Sequence, residues 1–146
     1  MLKTLNGLAL TLGLLVMAPT FAASESERPP IGDKVMAYSG QQGLKVWTLR
    51  IGERSANQAL VQIGGIDHDW NMRIQKMDVE KTAKDARYST DVNGTKFVVL
   101  ILRGDRGELH LPGENQDLAL GYDDALSREG NAEYFLTDYL QQPAAK

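Results

Sequence analysis

The chain has 146 residues, with 16 basic and 19 acidic side chains, 2 histidines, 0 cysteines and a formal net charge of −3. The lack of cysteine excludes disulfides, thiol catalysis and thiolate zinc sites. Charges of both signs alternate without a basic cluster, which argues against nucleic acid and anionic membrane surfaces as partners.

Residues 1–22 read as a cleaved secretory signal peptide. Lys3 supplies the positive start, Leu8 to Ala18 is uncharged, and Pro19 stops any helix. Thr20-Phe21-Ala22 puts small residues at −3 and −1 of a cut that leaves Ala23 as the new N-terminus. A retained anchor is the competing reading, and the apolar run is short for one. Residues 23–33, polar and proline-bearing, are expected to form a flexible lead-in to one domain over residues 34–142.

Within that domain the apolar residues alternate with period two, the mark of half-buried strands. Lys34–Ser39 alternates Val35 and Ala37 against Met36 and Tyr38. In Leu44–Ile51, Trp47, Leu49 and Ile51 share one side, and Val46, Thr48 and Arg50 the other. Gln58–Ile66 carries Ala59, Val61 and Ile63 in step. Residues 71–80 are less regular, because Met72 and Ile74 have the opposite phase to Met77 and Val79. A strand there needs a bulge or bend, and a helix is the competing reading. Arg87–Val92 and Thr95–Arg103 flank Asn93-Gly94, the pair that suits a type I′ hairpin turn. The second arm, KFVVLILR, is apolar on both faces and predicts a central strand covered on both sides. Glu108–Leu111, with Leu109 and Leu111 inward, and Leu118–Tyr122 complete the strands.

The period then lengthens. Asp123–Glu129, closed by Gly130, predicts a helical turn. Asn131 is a candidate N-cap for a helix whose face holds Phe135, Leu136, Tyr139 and Leu140, ended by Pro143. The expected fold is mainly β, an antiparallel sandwich or strongly curved sheet of about seven to eight strands with a C-terminal α-helix.

The densest cluster of functional groups is Asp67-His68-Asp69-Trp70, after Gly64-Gly65. These four residues form the candidate binding site: the glycines let the chain leave the strand, the acids stay wet, and Trp70 offers an aromatic anchor. The alternative is that Trp70 closes one end of the core while the acids cap a turn. A metal site from His68, His110 and Asp67 or Asp69 is conceivable but lacks ligand spacing, so neither metal nor cofactor is expected. No nucleophile elbow or phosphate loop is present, and no enzymatic activity is expected.

The exported, small, β-rich character resembles that of periplasmic lysozyme inhibitors. Their Ser-Gly-x-x-Tyr loop is only half matched, since Ser39-Gly40-Gln41-Gln42 runs into Gly43, and the resemblance covers compartment and architecture alone. The sequence therefore points to a periplasmic or secreted, non-catalytic binding module for a protein or cell-envelope component. An inhibitor or immunity protein against a hydrolase is its most concrete form. A small metal-assisted hydrolase and an envelope assembly factor are the alternatives. No membrane insertion of the mature chain is expected.

Overall fold

Eight strands follow one another in the order of their pairing: β1 (Met36–Ser39), β2 (Lys45–Ile51), β3 (Gln58–Gly64), β4 (Ile74–Lys81), β5 (Ala86–Val92), β6 (Thr95–Arg103), β7 (Arg106–Leu109) and β8 (Leu118–Tyr122). Every pairing is antiparallel, and β8 returns to β1 through Tyr38↔Tyr122 and Ser39↔Gly121, which closes the sheet into a barrel. Two helices follow, α1 (Asp124–Glu129) and α2 (Ala132–Gln141). The computed structural model describes residues 28–144, so the expected signal peptide at 1–22 lies outside the described residues. Among the described residues no helix is long and apolar enough to cross a membrane.

Local chemistry sets the turns. Asn93 (φ 53°) and Gly94 (φ 82°) give the β5–β6 hairpin two left-handed central residues, as type I′ requires. Asp123 caps α1 by accepting from Leu126 N–H at 2.9 Å, and Asn131 caps α2 by accepting from Tyr134 N–H at 3.0 Å.

Strand alternation produces two cores rather than one. Val46, Val61, Met77, Leu100, Leu109 and Leu120 point into the barrel. The opposite phase of β2–β4, with Leu49, Ile51, Leu60 and Ile74, points outward and is buried under Phe135 and Leu136 of α2. This explains the irregular phase of residues 71–80. The β3–β4 register runs from Gln58↔Asp78 to Gln62↔Ile74 without a shift, so the segment needs no bulge. Ile74 is buried outside beneath the helix, and Met77 inside the barrel.

Strand β6 departs from expectation in the other direction. Its bulge lies between Tyr88↔Leu100 and Ser89↔Val98, which leaves Val99 without a β5 partner. Val99 and Leu100 are both buried in the barrel interior, while Val98 and Ile101 remain half-exposed. The apolar run therefore reflects a bulge that turns neighbouring residues to one side, not a strand covered on both faces.

Of the expected lead-in at residues 23–33, residues 23–27 lie outside the described residues and 28–33 run along the barrel wall. Gly32 N–H donates to Arg50 O at 2.9 Å and Gly52 N–H to Pro30 O at 2.8 Å, with Ile31 bridged to Ile51. Arg28 pairs with Glu133 of α2 at 2.9 Å. The segment prolongs β1 along β2, because the barrel wall offers unpaired backbone groups there.

Candidate functional site

The loop of residues 65–73 crosses one end of the barrel. Gly65 (φ 79°) brings it so close to the β1–β2 turn that a Cβ would stand 2.2 Å from Gly43 O. The loop is knitted inward: Ile66 N–H donates to Asn71 Oδ1 (3.1 Å), and Met72 N–H donates to Ile63 O (2.7 Å). The glycines thus fold the segment down rather than let it project.

His68 is committed within this loop. Nε2 lies 3.0 Å from Pro112 O, and Nδ1 accepts from Trp70 N–H at 3.1 Å. Together these bonds place the proton on Nε2 and occupy both ring nitrogens. The His68 and Trp70 rings meet edge to face, centroids 5.4 Å apart, and Trp70 packs half-buried against the interior core. Asp67 and Asp69 are exposed. The structure therefore joins His68 to Trp70 and leaves the two acids on the surface. Trp70→Ala is expected to lower unfolding stability by about 2–3 kcal/mol, less than for a fully buried tryptophan because the ring is half-buried. Urea unfolding checks this, and an unchanged midpoint would show that Trp70 fills nothing.

His110 does not meet His68. Its N–H donates to Val99 O (2.7 Å) at the bulge, and its ring stands between Asp117 Oδ1 (2.8 Å) and Glu108 Oε2 (3.3 Å) on the outer wall. Glu108, His110 and Asp117 each offer a ligand atom within 4.8 Å of the others. Arg103 competes for the same carboxylate, at 3.1 Å from Glu108 Oε1, and its hydrogen bond is the main cause of a Glu108 pKa below the usual range. The arrangement is a surface ion network running from Arg103 to Asp117.

The opposite end of the barrel is open. Met36 faces inward, paired with Thr48 across from it, yet it is 41 % exposed. A cavity of about 480 Å³ enters there, lined by Met36, Thr48, Ala59, Val79 and Tyr88 and by the cations Lys34, Arg50, Arg54 and Lys81. Among the described residues none of these four cations has a carboxylate within salt-bridge distance. No protein-family model, curated protein or solved structure matches the chain.

Sequence reasoning missed this mouth, although a signal existed. Arg50 shares its phase with Val46 and Thr48, and Lys81 shares the phase of Met77 and Val79, so each charged residue ends an inward-facing row. At the inner end of the cavity, burial, with Tyr38 beside it, pushes the Tyr88 hydroxyl up to about 12 from an ordinary 10.0. Between these values the folded chain keeps a proton that the unfolded chain releases. The Tyr88 contribution is therefore complete below pH 10 and is lost as pH rises through 12, about 2–3 kcal/mol in all. Urea midpoints measured across this window should fall less steeply for Tyr88→Phe than for the parent; identical slopes would remove Tyr88 as the cause.

Proposed function

We propose that this chain is an exported, non-catalytic binding module of the cell envelope whose ligand occupies the open mouth of the barrel. One observation carries the reading: an inward-facing methionine, Met36, is 41 % exposed in a barrel whose other end is closed by Trp70 and its loop. Barrel mouths are common small-molecule sites, and about 480 Å³ falls in their usual range. Export is supported by the signal-like residues 1–22. The residues lining the mouth include cations, amides and apolar groups but no imidazole, which favours holding a ligand over transforming it. An inhibitor or immunity role is a second, protein-directed reading that would use the opposite, closed end. It is favoured by Asp67 and Asp69, exposed on a loop held by its own hydrogen bonds.

The test uses the neutral apolar dye N-phenyl-1-naphthylamine, whose fluorescence rises on leaving water. Saturable one-to-one binding is expected, and Met36→Trp, which fills the mouth, should abolish it while leaving the melting temperature nearly unchanged. Absent binding, or binding that Met36→Trp does not alter, would overturn the mouth as ligand chamber.

A further inference from the structure

We propose that the mouth selects an anion-headed amphiphile, its carboxylate or phosphate held by Lys34, Arg50, Arg54 and Lys81 and its apolar chain laid on Met36, Val79 and Ala59. This rests on the reading of the mouth as the ligand chamber and adds the chemistry of what enters it.

Strand geometry layers the cavity. Successive inward-facing residues are two apart, so the residue at a strand end lies at the rim and its i±2 neighbour lies one layer deeper. Two strands place a cation at the rim with a less polar residue one layer deeper, Arg50 over Thr48 and Lys81 over Val79, and Lys34 joins them from the bend that leads into β1. The β2–β3 turn adds Arg54 from the side. Arg50 is fixed in place, since its Nη1 donates to Gly52 O at 3.1 Å.

Charge sharpens the contrast. The chain as a whole is acidic, at −3, whereas the mouth gathers four cations against one lining carboxylate, Asp33. Like charges brought together repel and destabilise the fold unless something compensates them. Elsewhere among the described residues Arg28, Arg87, Lys96, Arg103 and Arg128 sit on acids, while Lys45, Arg73, Lys76, Lys84 and Arg106, like the four of the mouth, do not. What sets the mouth apart is that its four unpaired cations line one cavity. A low-dielectric wall focuses their field on the opening, and guanidinium groups hold carboxylate or phosphate by charge-assisted hydrogen bonds. Deeper in, Met36, Ala59, Val79 and the Tyr88 ring offer apolar surface to a tail.

The experiment titrates the purified protein, its methionine methyls labelled with ¹³C, with decanoate, decyl phosphate, decanol and decyltrimethylammonium, each below its micelle concentration. Met36 reports on the mouth, and the exposed Met72, in the loop at the far end, serves as an internal control. The Met36 methyl should shift saturably with the two anions while Met72 stays in place. Decanol should bind about tenfold more weakly, the loss of one charge-assisted contact, and the ammonium compound more weakly still. The tighter of the two anions identifies the head group. Arg54→Gln combined with Lys81→Gln should cost the anions about tenfold or more and leave decanol unchanged. Decanol binding as tightly as the anions, or anion affinity untouched by the double variant, would overturn the charge selection while the chamber stands. No ligand moving Met36 would overturn the chamber itself.

Discussion

Gly65→Ala is expected to lower the unfolding free energy by about 4 kcal/mol, a loss confined to a few mechanisms. Two of them coincide here. Gly65 has φ 79°, where any Cβ is strained, and the added carbon would stand 2.2 Å from Gly43 O and 2.8 Å from Gly43 C. Both obstructing atoms are backbone, so no rotamer change relieves them, and the loop of residues 65–73 or the β1–β2 turn must move. Gly94→Ala is the matched control. Its φ is 82°, but nothing lies within 4 Å of the new carbon. It should cost only about 1–2 kcal/mol, the backbone strain alone. Chemical denaturation of both variants separates clash from strain. Equal losses would mean that the two turns do not depend on each other.

Leu136→Ala is expected to cost about 3 kcal/mol. Leu136 is 1 % exposed and packs with Phe135 against Leu49, Leu60 and Ile74 on the outer wall. The helix is held at its far end as well, where the Gln142 side chain accepts from Ile74 N–H (3.0 Å) and donates to Ile74 O. Because β4 keeps the helix near, the cavity left by truncation has little room to collapse, which keeps the loss high. Leu140→Ala, on the same helix but 46 % exposed, should change stability by about 0.5 kcal/mol or less. A small effect at Leu136 would show that α2 is an appendage rather than half of the second core.

Local signals in the sequence were enough to place most of the strands, the Asn93-Gly94 turn and the cap of the last helix, because each depends on neighbours a few residues away; β7 begins two residues earlier than expected, at Arg106. What lay beyond reach was the pairing of faces. Ile74 and Met77 look contradictory along the chain and agree only once a helix covers one side of the sheet and a barrel encloses the other. The run Phe97–Leu102 likewise concealed a bulge, since six apolar residues carry no mark of where one of them loses its partner. The candidate loop was found as a cluster, but its direction was not, because the contact between Gly65 and Gly43 joins turns distant in sequence. The mouth escaped notice because its cations come from three separated stretches, around Lys34, Arg50–Arg54 and Lys81. Each alone is an ordinary surface charge, and only barrel closure gathers them.

Closure itself has a consequence for how the chain assembles. Every ladder but one joins strands adjacent in sequence, so the wall can be laid down hairpin by hairpin with short loops. The exception is the β1–β8 seam, which has two residue pairs and an edge-on contact of Tyr38 with Tyr122, ring centroids 5.7 Å apart. It joins the first and last strands, so of all the ladders it spans the longest stretch of sequence. Helix α1 acts as its latch: Ala37 N–H donates to Ser127 Oγ at 2.8 Å, and Asp123 N–H donates to Ala37 O at 2.9 Å. With the latch undone, the cylinder would relax into a curved ribbon with two bare margins, each able to recruit a strand from another molecule. Ser127, a small buried polar residue, thereby ties α1 to β1 beside the seam.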